Sequence, residues 1–420
     1  MSTSILIGTY PSGQPLADNT TWFFPPGQLS SNIAAENRAE MAVRDAGTFQ
    51  KLFCYVPANT ASVSTTVTLR KSRADTALLV TYTADLTGIL ENTSDTVAFA
   101  ATDEAAFEIT IPTEGGANTF TISVLACEFV PDTIGNTVSF FVGAPASGGV
   151  STATASTTSY LVPMGGIQTL TDTTEARQTY RVRSAAVAQD LRTFVSANAR
   201  TTNTVVRTRK NAVNGGQSVT YTSTLTGQLE DTTGTDTLAA GDDYNYSLTT
   251  GTGTETITFY HFATSLVSTN DDFANMVGGN SGLAFVFNGT NYVGIGGGLL
   301  GASATEIRSQ MYPRTTFTAK ELTCYASANT ITVSATTVTL RDNGVDSAVT
   351  VSFAASETGL KNDSANTAEL ATGADEVNLK VVTPNTSGSI TFNWMGILGL
   401  ATVPSGGPTS FSSFTLLGVQ

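Results

Sequence analysis

The chain has 420 residues, 20 Lys and Arg against 34 Asp and Glu, and a net charge of −14, with charged residues only 13% of the total. With a pI near 4.4, it argues against a nucleic-acid surface, which needs a basic patch to displace counterions. Thr, Ser, Gly, Ala and Val dominate the remainder, a composition suited to sheets whose outer faces carry hydroxyls rather than ion pairs.

The opening MSTSILIGTYPSG has no basic stretch leading into an apolar core, so no secretory leader is expected. No apolar run approaches ~18 residues, so no spanning segment is expected and no membrane partner. Residues 1–20 read as a lead with one apolar strand, Ile5-Leu6-Ile7, and a turn at Pro11-Ser12-Gly13. An aromatic strand follows, Trp22-Phe23-Phe24, stopped by Pro25-Pro26-Gly27. Its counterparts are Tyr160-Leu161-Val162-Pro163 and Tyr292-Val293-Gly294-Ile295.

Next comes SNIAAENRAEMAVRDAGTF, repeated as DTTEARQTYRVRSAAVAQD and SATEIRSQMYPRTTFTAKE. All three share Glu-x-Arg (Glu36/Arg38, Glu175/Arg177, Glu306/Arg308) and a further Arg at Arg44, Arg183 and Arg314. Pro313 does not suit a helix interior. Extended structure is expected in every copy, the even spacing then placing all three charges on one strand face. Structurally, such a Glu and Arg would pair with a neighbouring strand. Functionally, they would bind an anionic sugar or a partner's carboxylate. Recurrence in every copy favours the structural role.

From there the chain repeats itself for more than forty residues. KLFCYVPANTASVSTTVTLRKSRADTALLVTYTADLTGILEN returns as DLRTFVSANARTTNTVVRTRKNAVNGGQSVTYTSTLTGQLED and as ELTCYASANTITVSATTVTLRDNGVDSAVTVSFAASETGLKND. The fixed points are Leu52, Leu191, Leu322; Asn59, Asn198, Asn329; Arg70, Arg209, Arg341; and Gly88, Gly227, Gly359. So long a period means separate domains, not a solenoid of ~20–50-residue units. Val338 and Leu340 alternate with hydroxyl and charged residues, as do Val349, Val351 and Phe353, the mark of antiparallel sheet packed on one face. Asp342-Asn343-Gly344 and Lys361-Asn362-Asp363 supply turn chemistry.

The fold class expected is all-β: three tandem antiparallel β-sandwich, jelly-roll-like domains, with an immunoglobulin-like sandwich as the alternative. They are assigned to residues 1–133, 134–271 and 272–420, the last with a C-terminal strand. Links rich in Gly, Ser and Thr carry extra apolar strands at 138–142 and 283–287, and the tail another at 411–417. These pair either within their own sandwich or with a neighbour.

Candidates for chemistry are sparse. The single histidine, His261, sits where other copies have apolar residues (Met395; Leu125 or Ala126), which reads as packing. Glu104, Asp243 and Asp375 align, and Glu230-Asp231 and Asp271-Asp272 are further acidic pairs. None has calcium-loop spacing, so solvated turns are expected and no cofactor or metal. Three cysteines are not a disulfide framework. Free thiols in a reducing cytoplasm are expected, with a Cys54–Cys127 bridge as the alternative.

The block at residues 338–392, with Leu69-Arg70-Lys71, Arg209-Lys210-Asn211 and Leu340-Arg341-Asp342-Asn343-Gly344 after the anchor strand, resembles the jelly-roll repeat of tailed-phage virion structural proteins. Gly241-Asp242 matches that repeat's second turn, whereas Thr102-Asp103 and Gly373-Ala374-Asp375 depart from it. The resemblance implies a virion surface role: a capsid decoration (cement) or tail-associated protein, not an enzyme, assembled in the host cytoplasm. Its partners would be other virion proteins and itself, as a homo-oligomer, with neither nucleic acid nor membrane. A cell-surface adhesin or carbohydrate-binding module, and a filament subunit, stay open as alternatives.

Overall fold

The structure is a computed structural model. It describes residues 4–401 except 18, 27–28, 30–32, 44, 114–117, 133–137, 144–149, 153, 162–171, 184, 269–272, 287, 296, 299–301, 313–315, 372–374 and 385–386. Among the described residues six sheets, antiparallel except for the short parallel pairing of Gly278 and Gly279 with Gly297 and Gly298, make three sandwiches, each with eight principal strands. In the first these are Ser4–Ala17, Thr20–Phe24, Gly47–Val56, Thr65–Lys71, Ala74–Tyr82, Gly88–Phe99, Glu104–Ile111 and Thr119–Pro131. In the second they are Val138–Gly143, Thr158–Leu161, Ala186–Asn198, Thr204–Lys210, Val213–Tyr221, Gly227–Leu238, Asp243–Thr250 and Ile257–Ser268. In the third they are Phe273–Val286, Gly289–Val293, Phe317–Asn329, Thr336–Asp342, Val345–Phe353, Gly359–Leu370, Val377–Thr383 and Ser389–Ala401. Counted within a copy, the order is 1-8-3-6 in one sheet and 2-7-4-5 in the other, three times over. That is the jelly-roll order, in which successive strands cross from sheet to sheet except at the hairpin of strands four and five.

Each recurring residue of the sequence has a backbone reason. Leu52, Leu191 and Leu322 are fully buried and follow a bulge in the third strand. The residue before each (Lys51, Asp190, Glu321) is left-handed, at φ 53, 57 and 57°, so the bulge turns the next side chain into the core. Gly88, Gly227 and Gly359 take φ of +100, +92 and +96° in open space, so conformation and not crowding requires glycine there. The three asparagines are clamps. Asn198 Nδ2 donates to the carbonyls of Thr222 (3.1 Å) and Leu225 (2.9 Å), while its oxygen accepts from Arg200 N–H. Asn59 and Asn329 do the same with Thr83 and Leu86, and with Ala354 and Glu357. Each clamp ties the end of strand three, or in the first copy the short strand Ala58–Asn59 just after it, to the loop between strands five and six.

The expectation of extended structure through Glu-x-Arg fails. Glu36–Arg38, Glu175–Gln178 and Glu306–Arg308 are single turns of 3-10 helix. The bonds made by the Glu carboxylates, described below, favour the turn over a strand. Residues 5–7 pair with Glu128, Cys127 and Ala126 in their own sandwich. Likewise 138–142 pairs with the second sandwich's last strand and 283–286 with the third's. The tail, residues 404–420, lies outside the described residues.

Cys54, Cys127 and Cys324 are free and buried, so the Cys54–Cys127 bridge is not formed. Burial pushes the Cys54 thiol up to about 12, against a bond from Tyr82 that lowers it. His261 lies within the eighth strand of its copy rather than at an end, opposite Phe194. Trp394 opposite Tyr325, and Val124 opposite Tyr55, occupy the equivalent places, so its counterpart is Trp394 and not Met395.

Candidate functional site

The Glu of each 3-10 turn is gripped by the Arg of its copy's fourth strand. Arg70 Nε and Nη2 donate to Glu36 at 2.9 and 3.1 Å, Arg209 to Glu175 at 2.9 and 2.9 Å, and Arg341 to Glu306 at 2.9 and 3.1 Å. Both partners are largely buried, with side-chain exposure of 12–20%. Two parallel charge-assisted bonds fix orientation as well as distance. Arg209 and Arg341 also lie over the rings of Tyr160 and Tyr292. The sequence had marked both residues of every pair as repeating without joining them.

What the clip positions is the end of the turn and the segment just after it, and these touch the next sandwich. Between the first and second sandwiches, Arg38 Nη1 donates to Tyr260 Oη at 2.6 Å. Arg192 there reaches back to Glu104 at 3.4 Å. Between the second and third, Tyr180 meets Trp394 edge-on at 6.3 Å, and Arg183 Nη2 donates to Thr323 Oγ1 at 2.5 Å and lies 3.6 Å from Glu321. Between the third and first, Tyr312 packs on Phe53 at 5.5 Å, and Met311 joins one apolar cluster with Phe53, Val124 and Ala126. The receiving position is the same each time, the residue after the Leu anchor: Arg192, Thr323 and Phe53.

Three head-to-tail seams of one kind therefore close a ring within a single chain. A heterologous contact either closes or propagates without end, and this one closes at three. The chemistry differs at each seam: ionic at the first, mixed at the second, apolar at the third. At the first, burial raises the Glu104 pKa, the neighbouring Glu40 adds to it, and Arg192 opposes it.

Of the nine residues singled out by the sequence, Glu36, Glu175 and Glu306 are clip carboxylates. Arg38 and Arg183 are seam residues. Arg177 is exposed and Arg308 half-buried, while Arg44 and Arg314 lie outside the described residues. No single strand face gathers them.

Glu104 and Asp243 open the seventh strands of their copies and Glu230-Asp231 lies within a sixth strand. Among the described acidic positions only Asp375 therefore lies between strands, and its equivalents stand one residue earlier in the other two copies. Asp103, Asp242 and Asp375 are the equivalents, each accepting a backbone N–H, from Ala100, Ala239 and Ala371. Glu104 and Asp243 follow them in sequence. Asp231 accepts from Ser218 and Gly234 N–H. Asp271-Asp272 lies outside the described residues. Among the described residues no group of three or more His, Cys, Asp or Glu is placed to hold a metal.

Sequence reasoning missed the polar core of the second sandwich. Gln217, fully buried, accepts from Leu191 N–H and donates to Ala188 O and Asp236. Thr208 donates to the same Asp236 at 2.6 Å. The positions equivalent to Gln217 are Leu78 and Val349, so the glutamine itself was the available signal.

No known family pattern and no characterised protein matches the chain. Among solved structures it is similar, over 72% of its length, to 30% of a Paenibacillus xanthan lyase, at 14% identity and a TM-score of 0.20. It is also similar, over 87% of its length, to 84% of a chain in the atomic structure of Sulfolobus Turreted Icosahedral Virus, at 12% identity and a TM-score of 0.19. The chain spans less than a third of the lyase, and at these scores neither likeness carries an inference about function.

Proposed function

We propose that this chain is a non-enzymatic structural protein of a virus particle, a capsid decoration (cement) or tail-associated component of a tailed phage, acting through contact area. The observation that carries the reading is the closed ring. Three jelly rolls bury their seam-forming faces against one another within one chain. The fifth and sixth strands of every copy keep alternate residues exposed, largely hydroxylic or small. A preformed surface loses little freedom on docking. A stable contact buries roughly 1,200 Å² or more, and repetition of one surface lets individually weak contacts add through avidity.

The partners on this reading are other virion proteins and further copies of the chain. The net charge of −14 disfavours nucleic acid. Assembly in the host cytoplasm suits three buried thiols left unpaired. An antibody raised against the recombinant chain tests it by electron microscopy of virus particles from the source sample. Regular labelling of heads or tails is expected; unlabelled particles, intact and disrupted, would refute it.

A further inference from the structure

The three seams differ in how they are held as well as in their chemistry. The chain itself joins the first sandwich to the second, from Pro131 to Val138, and the second to the third, from Ser268 to Phe273. The third and first are connected only through the second. A short covalent link keeps two partners at an effective concentration of millimolar order, so the contact between them needs little affinity of its own. The two linked seams are the ones that carry the ionic and hydrogen-bonded contacts. The unlinked seam is the apolar one, where Met311 and Tyr312 meet Phe53, Val124 and Ala126. Phe53, Val124 and Met311 are all buried there. Beside them the strand Ser4–Ala17 of the first sandwich lies against Gly297–Gly298 and the turn Glu306–Arg308 of the third.

We propose that the third seam is an exchangeable interface, through which the third sandwich of one copy takes up the first sandwich of another. The fold does not require its apolar residues. Phe53 has Arg192 and Thr323 as its equivalents, and Tyr312 has Ala42 and Arg181, so polar side chains are accommodated at both places. What these residues serve is the contact itself. Opening it breaks no peptide link and frees two complementary surfaces, one on the first sandwich and one on the third. A second copy carries the same two surfaces, and a head-to-tail contact that does not close on itself continues into the next molecule. In dilute solution the chain's own first sandwich wins, because it is held nearby. Among copies crowded on one surface, exchange joins ring to ring. The inference goes beyond the structural role proposed above and does not depend on it.

Phe53→Asp spoils the surface of the first sandwich and Tyr312→Asp that of the third, so each variant opens its own ring. Mixed at about 100 µM each, where a contact of micromolar dissociation constant is saturated, the two variants retain one intact pair of surfaces between them. Light scattering after size separation should give twice the mass of one chain for the mixture, and the mass of one chain for either variant alone. The double variant Phe53→Asp/Tyr312→Asp, mixed with either, should stay single. Where an aspartate abolishes the cooperative melt, Phe53→Thr and Tyr312→Ala, residues that sister sandwiches already carry at these places, replace it. A mixture of folded variants that keeps the mass of one chain would overturn the proposal, as would a variant that doubles as readily alone.

Discussion

Arg209 holds Glu175 by two parallel bonds, each 2.9 Å long, between the fourth strand and a 3-10 turn that are 34 residues apart. Two residues beyond that turn stands Tyr180, the side chain that meets the third sandwich. The clip thus links the inside of one sandwich to its seam with the next. Replacing Arg209 with Met should lower the stability of the second sandwich by about 1–3 kcal/mol, because Glu175 keeps its charge and loses both bonds. Hydrogen exchange should rise at residues 180–183. Unchanged melting and exchange would show the clip to be incidental. Arg177→Met, on an exposed side chain of the same turn, should be close to silent.

The asparagine clamps make a second case. Asn198→Asp keeps the acceptor and removes the two donated bonds to Thr222 and Leu225. A loss of about 1–2 kcal/mol is expected in denaturant melts, and Asn198→Gln, one methylene longer, should not restore it. Full stability of the Gln variant would mean that the amide is wanted only for polarity.

The third copy carries a correctable flaw. Lys71 and Lys210 pair with Asp103 and Asp242 at 3.0 and 2.9 Å. The equivalent residue in the third sandwich is Asp342, where burial and then the charge of Asp375 raise its pKa. Asp342→Lys exchanges a repulsion for the ion pair of the other copies. A gain of about 1 kcal/mol, seen as a higher melting temperature of the whole chain, is expected. A lower one would show that the copies differ there for a reason of packing.

Acid should loosen the first two sandwiches through these same turns. The backbone N–H of Ala100, then Lys71, hold Asp103 below its ordinary 3.8. At Asp242 burial opposes the shift, but Ala239 N–H, Asn211 and Lys210 together outweigh it. A carboxylate lowered on folding stabilises fully above its unfolded value, and that stability is lost as pH falls through the folded value. Melting temperature should therefore decline from about pH 4 downward. Asp242→Asn should be less stable at neutral pH and show a shallower acid limb. An acid limb of unaltered slope would contradict the assignment.

Much of the sandwich was legible in the sequence because its causes are local. Alternation at Val349, Val351 and Phe353, and turn chemistry at Asp342-Asn343-Gly344, demand strands and hairpins wherever the rest of the chain goes. The turn at Glu36 was not legible. Glu-x-Arg spacing suits a strand face as well as a 3-10 turn, and the deciding partner, Arg70, is distant along the chain. The seams were hidden for another reason. Arg192, Thr323 and Phe53 occupy one position with three chemistries, so comparing the copies made that position look unconstrained. Each seam depends on two different copies at once, which no single-copy pattern records.

The closed ring is tested most directly by small-angle X-ray scattering from the dilute purified chain, which gives mass and dimensions in one measurement. Three sandwiches closed on themselves should scatter as one 43.6 kDa particle with a radius of gyration of about 22 Å, the value for a compact chain of this length. A particle of the same mass with a radius above about 30 Å, as expected for three sandwiches strung in line, would contradict the ring and the shared docking surface built on it.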